Sequence, residues 1–143
     1  MIKEPITYKD YNGNERTEDF YFHLNESELL KMQMGVKGGY VAYVNSIISA
    51  QDQPTLIAIF EELIEKAYGV KDLDGKGFRK SKEIFEAFKY TEAYSQLFMK
   101  LATDDEYAAK FINGIIPADL AAKVAEKQAS GEIPANLAAA ATI

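Results

Sequence analysis

The sequence predicts an α+β protein that is mostly α: an N-terminal β-hairpin packed on a bundle of about six short helices, then a flexible Ala-rich C-terminal tail. Three observations carry this expectation. Residues 2–24 alternate apolar and polar side chains, whereas the chain after residue 25 repeats its apolar residues at helical spacing. Glycines, prolines and Ser/Thr/Asn/Asp caps stand where such helices should start and stop. A length of 143 residues, 48% of them hydrophobic, suffices for one packed core. The expected organisation is one domain over residues 1–129, with the hairpin at 2–24 and helices over 25–129, and a tail at 130–143.

In the hairpin, Ile6 and Tyr8 alternate on the first arm and Phe20, Phe22 and Leu24 on the second, leaving Tyr21 and His23 on the other face. Tyr11-Asn12-Gly13-Asn14 supplies a turn that tolerates positive φ. Because an isolated hairpin is marginal in water, its apolar face must find helices or another chain. Asn25 and Glu28 then form a capping box, and Leu24 and Leu29 occupy the two positions of a hydrophobic staple. This first helix should run to about Met34 and stop at Gly35, Gly38 and Gly39. A second, Tyr40 to about Ala50, presents Val41, Val44, Ile47 and Ile48 at helical spacing. Asp52-Gln53-Pro54 opens a third, which turns Leu56, Phe60, Leu63, Ile64 and Ala67 inward, exposes Glu61, Glu62, Glu65 and Lys66, and ends at Gly69.

Residues 70–80 read as a tight turn or short hairpin around Asp74-Gly75. Helices resume over Ser81–Lys89, striped by Ile84, Phe85 and Phe88, and from Thr91 to Ala102, striped by Tyr94, Leu97, Phe98 and Leu101. Thr103 and Glu106 form a further capping box opening a helix to Asn113. Asn113-Gly114 is then expected to end that helix and Pro117 to block its continuation, so that Phe111, Ile112, Ile115 and Ile116 crowd a corner. Such a corner either plugs the core or receives another chain. An Ala-rich helix to about Ala129 follows.

Catalytic chemistry is sparse. With no cysteine, disulfides, thiolate metal sites and cysteine nucleophiles are excluded. His23 is the only histidine and has no sequence-nominated nucleophile or orienting acid. Asp72-x-Asp74-Gly75 evokes a calcium loop, but that alignment puts Val70 and Ser81 where ligating carboxylates are required, so it reads as a turn. Glu61-Glu62 reads as a solvated helix face, and Asp104-Asp105-Glu106 as a first helical turn that favours negative charge. A net charge of −6 opposes nucleic-acid binding, and Lys76, Arg79, Lys80 and Lys82 read as a solvated loop. No signal core or apolar run of membrane-spanning length stands out, so no membrane partner is expected.

Several stretches resemble one family. They are Thr7-Tyr8-Lys9-Asp10-Tyr11-Asn12-Gly13-Asn14-Glu15-Arg16-Thr17-Glu18-Asp19-Phe20-Tyr21-Phe22, Asp74-Gly75-Lys76-Gly77-Phe78-Arg79-Lys80-Ser81, Thr91-Glu92-Ala93-Tyr94 and the run from Phe111 to Pro117. In their order and spacing, from about Ile6 to Pro117, the chain resembles tail assembly chaperones of long-tailed, siphovirus-type bacteriophages, especially those of Gram-positive hosts. That resemblance implies a non-enzymatic protein of the host cytoplasm, absent from the mature virion, that binds the tape measure protein, keeps it soluble and assists tail tube polymerisation. The tail tube protein is a further implied partner. Neither a catalytic residue, a cofactor nor a metal is implied. Many such chaperones also exist in a longer frameshifted form, and the ending Ala135–Ile143 would suit the short one.

A chaperone for a long helical client needs apolar grooves that receive amphipathic helices, and acidic charge that keeps the loaded complex in solution. The candidate contacts are Phe111, Ile112, Ile115 and Ile116, supplemented by Tyr94 and Phe98. Homo-oligomerisation is expected through the hairpin edge or the Phe111–Pro117 corner. The competing reading is a virion structural or connector protein that offers its hairpin edge for strand addition. A small regulatory enzyme or ligand-binding domain would require a deep polar pocket that no motif announces.

Overall fold

The computed structural model describes residues 1–116 together with 122, 123 and 126. Pro117, most of the expected helix to Ala129 and the expected tail at 130–143 therefore lie outside the described residues. The elements run β1 (Ile2–Lys9), β2 (Glu15–Phe22), α1 (Glu26–Met34), α2 (Tyr40–Ala50), α3 (Gln53–Ala67), β3 (Tyr68–Lys71), β4 (Phe78–Arg79), α4 (Lys82–Lys89), α5 (Glu92–Thr103) and α6 (Asp105–Ile115). This is the expected α+β architecture, hairpin first, with six helices among the described residues. The chain groups into two compact units, one of Met1–His23 and Phe60–Ile115, the other of Leu24–Ile59 and the chain from Ile116.

In the first unit Asp10 organises the hairpin turn. Its carboxylate accepts the backbone N–H groups of Asn12 and Asn14, both at 2.9 Å, and the Arg16 Nε–H at 2.7 Å, while Gly13 takes the positive φ of 82°. The resulting register pairs Ile2 with Phe22, Ile6 with Glu18 and Lys9 with Glu15. Since directly opposed residues share a face, Ile6, Tyr8, Phe20 and Phe22 point inward, and Lys3, Pro5, Thr7, Glu15, Thr17 and Asp19 make an exposed polar face. The sheet does not stop at two strands. β2 pairs antiparallel with β3 and β3 with β4, giving the order β1-β2-β3-β4, with β1 at an edge. Gly69 therefore belongs to a strand, and the expected helix stop moves back to Ala67. A Cβ on Gly69 would lie 2.6 Å from the Phe78 ring and 2.8 Å from the Arg79 carbonyl oxygen, so only glycine lets β4 close on β3 there.

The core of this unit is aromatic. Phe88 stacks on Tyr68 with centroids 4.5 Å apart, and meets Phe20 at 4.8 Å and Phe22 at 5.9 Å. Phe22 is wholly buried, which stabilises the fold by about 1.5–3 kcal/mol relative to leaving it in water. Helices α5 and α6 pack against β1, and α4 against β3. The Ser81 hydroxyl accepts the Ile84 N–H at 3.0 Å and the Thr91 hydroxyl the Tyr94 N–H at 3.3 Å, so α4 and α5 begin where the sequence places them.

Two expectations about α6 are corrected. Its cap is Asp104, whose carboxylate accepts the Tyr107 N–H at 3.0 Å, whereas Thr103 closes α5 by donating to the Met99 carbonyl at 2.6 Å. Asn113-Gly114 does not end the helix, which continues to Ile115. Gly114 answers to packing instead, because Ile2 of β1 fills the space a Cβ would take.

In the second unit the capping box forms as expected: the Glu28 N–H meets Asn25 Oδ1 at 2.9 Å and the Asn25 N–H meets Glu28 Oε1 at 3.1 Å. Leu24 and Leu29 are both buried. Helix α2 starts at Gly39, whose φ of 97° and missing side chain leave it without a cap of its own. Gln33 of α1 replaces that cap, its buried side-chain carbonyl accepting the Val41 N–H at 3.0 Å. Asp52 caps α3 through the backbone and hydroxyl of Thr55, at 3.3 and 2.7 Å. Within α2 only Tyr40 and Val44 are buried, and Ile48, expected on the inward stripe, is 43% exposed. Lys123 reaches Glu26 at 3.2 Å, on the acidic first turn of α1.

Candidate partner-binding surface

The six residues read from the sequence as partner contacts fall into two groups. Phe111 and Ile115 are each 2% exposed and Ile116 is 6% exposed. Phe111 is a core residue of the first unit, packed edge-on against Phe22 with centroids 5.2 Å apart. Of that corner, only Ile112 keeps part of its side chain at the surface. Tyr94 and Phe98 form the second group, and both are half-buried.

Helical geometry explains this second group. On α5, Ala93, Leu97 and Leu101 point into the core, while Tyr94 and Phe98 lie one step round the cylinder at i, i+4. Their rings stack with an interplanar angle of 16° and a centroid distance of 6.3 Å. Tyr94 is also held edge-on by Phe85 at 6.1 Å and Phe88 at 5.5 Å. One edge of the strip is thus fixed on the core and the other faces water, with Met99, 54% exposed, on the next ridge.

Two carboxylates of α3 act on the Tyr94 phenol. Burial pushes the Tyr94 phenol above its usual range, and the fields of Glu61 and Glu65 raise it further. Both carboxylates are exposed, four residues apart, and neither is in an ion pair among the described residues. Periodicity placed them on a solvated face, and solvated they are.

The basic cluster is locally engaged. Arg79 Nε lies 2.7 Å from Asp72 Oδ1, Lys80 donates to the His23 carbonyl at 2.6 Å, and Lys82 approaches Glu86 at 4.0 Å. The Asp72–Gly77 loop is closed by backbone bonds from Gly75 to Asp72 and from Asp72 to Gly77, at 2.9 and 2.8 Å. Among the described residues no group of three or more His, Cys, Asp or Glu side chains could hold a metal, and no helix is long and apolar enough to cross a membrane.

Small clefts also lie in the first unit. One, of about 140 Å³, lies between β1 and the α5–α6 pair, where Lys100 Nζ sits 4.0 Å over the Tyr107 ring. Burial and a hydrogen bond with Glu4 push the Tyr107 phenol far above its usual range. Another, of about 250 Å³, lies beside the hairpin turn, where the Tyr11 hydroxyl donates to Glu92 at 3.0 Å.

A family model described as phage tail assembly chaperone matches residues 1–142. The chain belongs to that family. No curated protein and no solved structure matches it. Tail assembly chaperones work with phage tail proteins, so the functional surface of this chaperone is one that meets protein. Of the sequence-predicted contacts, Tyr94, Phe98 and Ile112 keep surface for such a meeting, while Phe111, Ile115 and Ile116 are packed inside.

Proposed function

We propose that this chaperone binds the tape measure protein, keeps it soluble and assists tail tube polymerisation around it, without catalysing a reaction. It acts in the host cytoplasm and is absent from the mature virion, with the tail tube protein as a second partner. The observation that supports this reading is the half-buried Tyr94–Phe98 stack, an apolar strip one helical turn long, anchored below by Phe85 and Phe88. A ridge of this kind suits the apolar face of an amphipathic helix, the form in which a long helical client would present itself. Ile112 adds apolar area on α6. The acidic balance of the chain, −6 overall, favours solubility of the loaded complex.

Co-expression with the tape measure protein of the same phage tests the proposal. A soluble complex that co-elutes in size exclusion is expected, lost when the chaperone is omitted and weakened roughly ten-fold by Phe98→Ala, as for an interface anchor. A tape measure protein that stays insoluble beside abundant folded chaperone would overturn the reading. So would recovery of this chain in purified tails, which would point to a virion component instead.

A further inference from the structure

We propose that the cleft beside the hairpin turn receives a lysine or arginine side chain of the tape measure protein, held among tyrosine rings by the carboxylate of Glu92. This inference rests on the chaperone reading above and adds a point of contact whose chemistry differs from that of the apolar strip.

Distant parts of the chain build this cleft. The turn after β1 brings Tyr11, and the junction of α4 and α5 brings Tyr90 and Glu92. The Tyr11 hydroxyl ties these parts together, donating to Glu92 Oε1 at 3.0 Å across 81 positions of sequence. Tyr8 also lines the space and is buried, its hydroxyl donating to Glu18. Tyr11 and Tyr90, by contrast, are 77% and 68% exposed, so these two rings add little to the core. At about 250 Å³ the space is smaller than the roughly 300–1,000 Å³ of small-molecule pockets. It suits one long side chain better than a cofactor.

Charge selects that side chain. Of the charged groups lining the cleft, Asp10 and Arg16 hold each other at 2.7 Å, and Arg16 also lies 3.8 Å from Glu18. Glu92 is exposed and in no ion pair among the described residues. Its hydrogen bond with Tyr11 leaves further acceptor positions on the carboxylate. An arriving cation would therefore meet a carboxylate without breaking an existing pair. Phenol rings attract cations through the negative charge of their faces, and the stem of Lys or Arg can lie along them. An arriving carboxylate would be repelled by Glu92 and would find Arg16 already engaged.

The test uses the complex of full-length chaperone and full-length tape measure protein obtained by co-expression. Benzoylphenylalanine placed at Asn12, which lines the cleft, is expected to cross-link on irradiation to a tape measure segment containing Lys or Arg, identified by mass spectrometry. A synthetic peptide of that segment should bind the chaperone in fluorescence anisotropy. Its affinity should fall roughly three- to five-fold in Glu92→Gln, whose amide oxygen can still accept from Tyr11. Tyr90→Leu should weaken it by a similar factor and Tyr90→Phe should not, because only the second keeps an aromatic face. Replacing the peptide's Lys or Arg by Gln should match the loss in Glu92→Gln. Circular dichroism verifies that each variant keeps the fold. No cross-link from a soluble complex, a peptide that fails to bind, or one that binds Glu92→Gln and Tyr90→Leu as tightly as the wild type overturns the inference and leaves the chaperone reading standing. Binding weakened by Arg16→Leu but not by Glu92→Gln would seat an acidic side chain in the cleft and overturn it too. A chaperone that dimerises on its own and is made monomeric by Glu92→Gln/Tyr90→Leu would give the cleft to a second copy, with the same consequence. A tape measure protein that stays insoluble beside the wild-type chaperone overturns the chaperone reading, and the inference with it.

Discussion

The side chain of Ile2, at the start of β1, occupies the space that a Cβ on Gly114 of α6 would need, with Cδ1 2.5 Å and Cγ1 2.7 Å from that position. In an open helix, glycine to alanine should stabilise by roughly 0.5–1 kcal/mol. Here overpacking, typically about 1–3 kcal/mol, acts in the opposite direction and outweighs it. Gly114→Ala should therefore destabilise the protein by about 1 kcal/mol, read as a lower urea midpoint at constant slope. In an Ile2→Ala background the sign should reverse, because the obstructing atoms are gone. A Gly114→Ala protein more stable than wild type would show that α6 and β1 do not approach this closely.

Gln33 supplies the cap that Gly39 cannot. Gln33→Ala would leave the Val41 N–H without its acceptor at the start of α2 and should cost about 1 kcal/mol in thermal or urea unfolding. Amide exchange at Val41 should accelerate in the variant more than exchange within α5. Equal acceleration in both helices would mean that only global stability had changed.

Asp10 gives the hairpin turn an acid sensitivity. The Arg16 guanidinium, then the backbone N–H groups of Asn14 and Asn12, hold its carboxyl below the usual 3.8. A folded pKa below the unfolded one contributes stability that is complete above the unfolded value and lost as pH falls through the folded value. The Asp10 side-chain carbon should accordingly titrate with a midpoint below 3.8 by NMR, and Arg16→Leu should move that midpoint upward. An unchanged midpoint in Arg16→Leu would remove the guanidinium as the leading cause.

Tyr107 provides the alkaline counterpart. Burial, and after it the bond with Glu4, disfavours the phenolate, so the folded pKa lies above the unfolded value near 10. The associated stability is complete below about 10 and declines as the unfolded chain ionises at higher pH while the folded one resists. Glu4→Gln should lower the Tyr107 midpoint, leaving the burial contribution in place. A Tyr107 that titrates with the exposed Tyr11 would contradict its packing between β1 and the α5–α6 pair.

Local signals were the legible part of this fold. Asn25 and Glu28, Asp52, Ser81 and Thr91 lie within three residues of the groups they cap, so reading their neighbours was enough to place α1, α3, α4 and α5. The inward stripe of α3 was legible for the same reason from Phe60 onward, where Phe60, Leu63, Ile64 and Ala67 follow its period and are buried, whereas Leu56 is only half-buried. Features made by distant residues were not. Gly69 and Gly114 look like helix stops until Phe78 and Ile2 are seen filling the space beside them. Tyr68–Lys71 joins the hairpin only because β2 presents Tyr21 and Phe22 to it. On the candidate surface, helical spacing identified Tyr94 and Phe98 but could not show that Phe22 takes Phe111 into the core.

Pro5 sits in the middle of β1, on the polar face of the edge strand. Its ring nitrogen has no hydrogen to offer, so a strand arriving from outside would find a gap midway along the row of donors. The outer side of β1 is thereby a poor template for edge-to-edge pairing, the route by which open sheets recruit one another.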